Sequence, residues 1–252
     1  FSWFTFEECT EIYRDNFSNQ FNLLAVNMGM DKLDYEWRKV DNEDWSISWK
    51  KGWKPDPIGD DLLVLPAWLN LPDEYSGRLI IRLDPGSAFG TGSHATTRLC
   101  LESLENSDVS NLLVADIGCG SGILTIAALR LGAKEVLAFD LDELAVRATN
   151  QNANLNNLRD DKLRVFNGSI DTLSSFLNGK TVDLLICNIL APVIEELAPS
   201  FNKVISDDGK ALLSGILLTQ VEPLKIKLKN LGWRCNSFFE KDDWALLEIG
   251  KI

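Results

Sequence analysis

From about residue 108 to the C-terminus, short continuous apolar runs alternate with stretches of helical period. The runs at 112–116, 136–140, 163–166, 182–187 and 210–214 predict buried strands, because strands covered on both faces lack polar alternation. Between them, 123–131, 143–155, 192–205 and 219–231 predict helices. Two late runs, 234–240 and 245–249, flank the short charged turn at Asp242-Asp243 and predict a hairpin. The whole reads as an α/β fold, a mostly parallel, doubly wound sheet closed by an antiparallel hairpin.

Ahead of this region the pattern changes. Runs at 62–65 and 79–82, set around Pro66 and Pro72, predict a short β-rich piece. Six of the eight tryptophans lie in the first 70 residues. Trp45, Trp49 and Trp53 recur every four residues and predict a helix over 41–58, ending near Gly52 and Pro55. It reads as a linker helix packed on the main domain, with a docking face for a partner as the alternative. Residues 1–40 read as a small, partial α/β domain, and 59–252 as the main domain.

Composition narrows the class. A chain of 252 residues with 45% apolar content holds one large domain plus an appendage. No apolar run approaches the ~20 residues that span a bilayer, and no signal-peptide pattern opens the chain. A soluble protein is expected; the start at Phe1 rather than Met reads as a fragment or trimmed product. Cys9, Cys100, Cys119, Cys187 and Cys235 are scattered, with no C-x-x-C pair. That predicts a reducing compartment, hence the cytoplasm, and neither disulfides nor a metal site. The single histidine makes His-based metal chemistry or a Ser-His-Asp triad implausible. A formal net charge of −12 disfavours direct nucleic-acid binding and would draw a basic protein partner.

The chemistry concentrates in three places. The first is Asp116-Ile117-Gly118-Cys119-Gly120-Ser121-Gly122, between a predicted strand and helix, with Asp140 ending the next strand. Strand, glycine turn, helix, strand and acid is a nucleotide-binding layout, in which the acid accepts bonds from ribose hydroxyls. The third glycine comes one residue too early for a dinucleotide fingerprint, and the carboxylate of Asp116 would repel a pyrophosphate. S-adenosylmethionine, a cation without phosphate, fits better than NAD. The alternative is a glycine turn that only packs helix on strand.

The second is the loop Asp84 to Thr97, with three glycines, three threonines and the only histidine of the chain. Gly90 and Gly92 allow a hinge over the site. Thr97 either caps a helix or serves the site; Phe89 covers a cofactor or fills the core; His94 orients a substrate or sits exposed. The third is Asn188, at the end of the fourth main strand, whose amide oxygen and nearby carbonyls can hold an amine. Many amine methyltransferases place N-P-P-Y there. Ile189 and Leu190 supply no stacking ring, which favours a flexible alkyl amine over a planar amide or adenine. Asn188 as a plain turn residue is the alternative. Ser169, after the third strand, either bonds a base or caps the next helix.

DPGSAFGTGSHATT, DIGCGSGIL, FDLD, CNIL, LLSGI and the closing GWR…WALLEIG resemble, in order, the PrmA-type methyltransferases of ribosomal protein L11. The likeness runs from about Asp44 to the C-terminus, and the DPG-x-AFGTG-x-H-x-TT loop is its specific part. It implies a Rossmann-like class I methyltransferase sheet and an S-adenosylmethionine-dependent monomer that methylates lysine and N-terminal amines of ribosomal protein L11. It also implies an N-terminal domain that holds the substrate; family members usually carry a longer one. By matching motif positions it assigns cofactor binding to Thr97, Gly118, Asp140 and Asn188. Phe89, Gly120 and Ser169 join them from the residues alone, with Asn188 and His94 as the residues beside the chemistry. Competing expectations are another protein or small amine as substrate, an NAD(P)-dependent oxidoreductase, and a non-catalytic cofactor-binding module.

Overall fold

The computed structural model describes residues 10–27, 52–84, 90, 92–158 and 161–252. The chain divides into two units, Phe1–Gly52 and Trp53–Ile252. Of the first, α1 (Glu11–Asn27) is described, with Phe17 stacked on Phe21 one turn later. Phe89 and residues 41–51 of the expected linker helix lie outside the described residues. The end of that helix is corrected: Gly52 is in a turn and β1 (Asp56–Ile58) is a strand. Pro55 and Pro57 explain this, since each lacks an N–H and holds its predecessor away from helical backbone. Trp53 meets Trp68 edge-on, with ring centroids 6.5 Å apart.

A three-stranded sheet follows, ordered β1-β2-β3 with β2 (Leu62–Pro66) and β3 (Leu79–Leu83). β2 and β3 run parallel, with Leu62 opposite Leu79, which the sequence pattern had left open. Side chains of two helices hold this sheet. From α2 (Ala95–Glu105), Arg98 pairs with Asp56 at 2.7 Å, and Glu105 accepts the amides of Asp60, Asp61 and Leu62. From α4 (Glu143–Leu155), the residue just beyond the helix, Asn156, bonds both the N–H and the C=O of Arg82.

The main sheet takes β4 (Leu113–Ile117), β5 (Glu135–Asp140), β6 (Leu163–Asn167), β7 (Val182–Asn188), β8 (Ile205–Leu217), β9 (Trp233–Lys241) and β10 (Trp244–Lys251). Their order is β6-β5-β4-β7-β8-β10-β9. The first five are parallel; β10 runs antiparallel to both β8 and β9. The fold is therefore the mixed α/β sheet expected. Two details differ from the expected elements. β8 is 13 residues long, because Ser206–Lys210 continue as strand beyond the apolar run that marks its core. The last strand, β10, sits inside and β9 takes the edge, as their burial explains: β10 carries Ala245, Leu246, Leu247 and Ile249, all fully buried.

α2, α3 (Ile123–Arg130) and α4 contribute to one core cluster, with Leu99, Leu101, Ile126 and Ala153 against Val114, Val136 and Leu212. α5 (Ile170–Leu177), α6 (Ala191–Val204) and α7 (Val221–Asn230) contribute to the other, with Leu173, Ile194, Phe201 and Leu224 against Phe139, Leu185 and Leu213. Helices on both faces leave the carboxyl ends of β4, β5 and β7 as the place where loops converge, the usual ligand crevice of such sheets.

Candidate active site

The glycine turn after β4 is built from backbone that only glycine adopts without strain. Gly118, Gly120 and Gly122 have φ of 76°, 56° and 81°. The turn is pinned to the end of β5: the amides of Gly118 and Cys119 donate to the carbonyl of Phe139 at 2.8 and 3.0 Å. The Gly120 amide donates to Oδ2 of Asp140 at 3.0 Å, and Oδ1 of Asp140 accepts the Asp142 amide at 2.9 Å. Asp140 is thus oriented by two amides and half-exposed at the strand end.

The end of β7 meets the same turn. A methyl placed on Gly118 would lie 2.5 Å from Cγ2 of Ile189. Asn188, the neighbour of Ile189, pairs in register with Ser214 on β8, and its amide makes no hydrogen bond to a described residue. Three strand ends and one loop therefore close on a single site, which joins Gly118, Gly120, Asp140 and Asn188.

His94 is the N-cap of α2. Its Nδ1 accepts the Thr96 amide at 3.3 Å and lies 2.8 Å from the Thr96 hydroxyl. The Nδ1 atom is thereby committed to the start of the helix. The ring meets Trp244 edge-on at 5.1 Å, which replaces the exposed-loop alternative with a packed one. Because His94 does the capping, Thr97 does not: its hydroxyl is buried with no hydrogen-bond partner among the described residues. Ser169 precedes α5, yet its hydroxyl makes no capping bond. The capping alternatives for Thr97 and Ser169 are both removed.

Asp116 is buried behind the turn. Its Oδ2 accepts the Thr125 hydroxyl at 2.6 Å, while Oδ1 has no partner among the described residues. Burial pushes its carboxyl up to about 6; the Thr125 bond opposes this and the nearby Asp140 charge adds to it. Burial also pushes the Cys100 thiol up to about 12 and raises those of Cys119 and Cys187. These thiols are packing groups rather than nucleophiles.

Four positioning residues escaped sequence reasoning. Ser121 donates to the carbonyl of Gly90 and so holds the glycine-threonine loop on the glycine turn. Thr149 donates to the carbonyl of Gly120 at 3.0 Å. Asn152 donates to the carbonyl of Ser121 at 2.8 Å and accepts the amide of Asp84 at 2.9 Å. Asn156 carries the same stripe on to β3. Thr149, Asn152 and Asn156 are buried polar residues at helical spacing, a signal present in the sequence but masked by the other asparagines around them.

The family model for ribosomal protein L11 methyltransferase (PrmA) matches residues 7–251. The chain belongs to this family. It is 52% identical over 250 residues to the ribosomal protein L11 methyltransferase of Prochlorococcus marinus (strain MIT 9313), covering 99% of this chain and 83% of that protein. It is 43% identical over 247 residues to that of Synechococcus elongatus (strain ATCC 33912 / PCC 7942 / FACHB-805), covering 98% of this chain and 82% of that protein. Among solved structures, the ribosomal protein L11 methylase of Lactobacillus delbrueckii subsp. bulgaricus superimposes with a TM-score of 0.71 at 34% identity. It covers 79% of this chain and 99% of its own. The oxidoreductase and small-amine readings are not favoured by these relatives.

Proposed function

We infer that the chain performs the reaction of its family, S-adenosylmethionine-dependent methylation of amines on ribosomal protein L11. The observation that carries the site assignment is the closure of Ile189 on Gly118 and of the Gly120 amide on Asp140. The residues fit the cofactor: two buried oxygens, Thr97 Oγ1 and Asp116 Oδ1, have no partner among the described residues, and the acids of the glycine cradle suit a cation without phosphate. In this reading Thr97, Gly118, Gly120, Asp140, Asn188 and Ser169 hold the cofactor. When bound, S-adenosylmethionine supplies an electrophilic methyl group on a positively charged sulfur.

The chain's own task is to present a neutral amine. A lysine with pKa near 10.4 is neutral in about one part in 2,500 at pH 7, a cost of roughly 4–5 kcal/mol. The Asn188 amide oxygen and adjacent carbonyls accept the amine N–H groups and aim the lone pair. Orientation of that kind supplies energy on the required scale. His94 contributes by fixing the start of α2 and thereby Thr97, since its Nδ1 is committed to the cap. We assign residues 1–40 to holding the substrate. The charge of −12 supports a basic protein partner and argues against direct nucleic-acid binding. Among the described residues no helix is long and apolar enough to cross a membrane. We place the enzyme in the cytoplasm, acting as a monomer.

The test is radiolabelled methyl transfer to purified ribosomal protein L11, with cofactor affinity measured by calorimetry. Asn188→Ala is expected to cut labelling by roughly 100-fold or more, the scale of removing one preorganised hydrogen-bonding group. Undiminished labelling removes Asn188 from the site. No labelling by the wild type, with the cofactor still bound, moves the substrate elsewhere.

A further inference from the structure

The sheet's carboxyl edge divides at β4. On one side the glycine turn and Asp140 form the cofactor half. On the other, four large aliphatic side chains stand out into solvent: Leu190 (64% exposed), Val193 (40%), Leu217 (37%) and Leu218 (37%). They are neighbours rather than scattered positions. Asn188 pairs with Ser214, and a methyl on Gly215 would lie 2.2 Å from the carbonyl oxygen of Ile189, so 188–190 runs against 214–217. Val193 follows Leu190 by one turn at the start of α6. Leu217 lies opposite Trp244, and the Leu218 amide donates to the carbonyl of Asp243 at 3.0 Å. The lip thus runs unbroken from Asn188 to the β9–β10 turn. There Asp242 and Asp243 are both exposed, with no ion pair to a described residue.

Single exposed leucines need no explanation, but a contiguous apolar strip beside a reaction centre does. By contrast, exposed Phe238 on β9 is covered by the ammonium of Lys225 at 5.0 Å. We propose that Leu190, Val193, Leu217 and Leu218 dock the segment of the substrate protein that carries the acceptor amine, with Asp242 and Asp243 engaging basic residues that flank it. This rests on the reading that a protein amine is methylated and adds where its chain lies. A small free amine would use only the Asn188 end. A polypeptide with apolar residues beside its amine and cations further along matches the strip in both character and order.

Two double variants of the full chain test this, Leu217→Ser with Leu218→Ser, and Asp242→Asn with Asp243→Asn. The readouts are binding of fluorescently labelled ribosomal protein L11 by anisotropy, steady-state methylation, and cofactor affinity by calorimetry. The leucine pair is expected to raise both Kd and KM for the substrate about tenfold or more, as for anchors at an interface. The turnover number and cofactor affinity are expected to stay within about twofold, because Leu217 ends β8 and Leu218 follows it, on the far side of β4 from Asp140. The acid pair is expected to raise KM less and to flatten its dependence on salt. Unchanged Kd and KM in both variants, with normal wild-type transfer, overturn the docking surface alone. A wild type that transfers no methyl to L11 overturns the functional reading and the surface with it. A shift of the leucine variant from dimer to monomer in sedimentation makes the lip a self-contact and also overturns it.

Discussion

Gly118 and Ile189 are packed so closely that a single methyl on the glycine would sit 2.5 Å from the isoleucine's Cγ2. This contact joins the glycine turn to the strand end that carries Asn188, and the backbone of Gly118 is left-handed besides, at φ 76°. Gly118→Ala therefore meets two penalties: roughly 1–2 kcal/mol for a side chain in that conformation, and displacement of Ile189. Cofactor affinity by calorimetry is expected to fall about tenfold or more, the equivalent of 1.4 kcal/mol. Unchanged affinity would mean that Ile189 moves aside without disturbing the turn.

Asn152 holds two loops with one amide, the carbonyl of Ser121 on one side and the amide of Asp84 on the other. Asn152→Ala strands the buried Ser121 carbonyl and is expected to cost roughly 1–3 kcal/mol, read as a lower melting temperature. The more telling readout is kinetic. Loosening the 84–97 loop is expected to raise KM for the cofactor more than it lowers the turnover number. Asn150→Ala, at an exposed position on the same helix, serves as control and is expected to stay within about 0.5 kcal/mol of the wild type. Equal behaviour of the two variants would show that Asn152 only fills space.

Asp116 predicts a pH dependence of stability. Its folded pKa is raised from 3.8 to about 6, so the native state binds the proton more tightly than the unfolded chain. The sign follows from linkage: this contribution is complete below the unfolded pKa and is lost as pH rises through about 6. The loss amounts to roughly 3 kcal/mol between pH 3.8 and pH 7. Asp116→Asn has no carboxylate to ionise there. In the protein without cofactor, its denaturant midpoint is expected to gain on the wild type between pH 5 and pH 7. Parallel profiles for the two proteins would show that Asp116 does not titrate in this window.

The order of strands and helices was legible because strands buried on both faces are largely apolar, which makes runs such as Val136 to Phe139 stand out. Gly118 and Asp140 were legible for a related reason: a left-handed turn restricts residue choice sharply, and an acid at a strand end is rare enough to notice. The insertion of β10 between β8 and β9 was not, since a hairpin pattern says nothing about which arm pairs inward. Nor was Asn152 legible. Its role depends on which carbonyl and amide the tertiary fold brings to it, and its helix carries other asparagines, such as Asn150, that face solvent. His94 shows a third kind of limit: the residue was visible, but its partner Trp244 lies 150 positions away in the chain.

The transfer step itself carries the last prediction. No described residue at the Asn188 end is placed as a general base: the Nδ1 of His94 is bound to the start of α2, and Asp140 has both oxygens on backbone amides. The amine must then lose its proton to solvent before transfer, and only the neutral fraction reacts. For an acceptor with pKa near 10.4, log kcat/KM is expected to rise with a slope of about one per pH unit from pH 7 to pH 9. An N-terminal α-amine, with pKa near 8, is expected to level off about two units earlier. Comparing methylation of L11 with its N-terminus free or blocked separates the two limbs. A rate flat from pH 7 to pH 10 on the lysine substrate would require a base in the site and would return His94, freed from its cap, to the list of candidates.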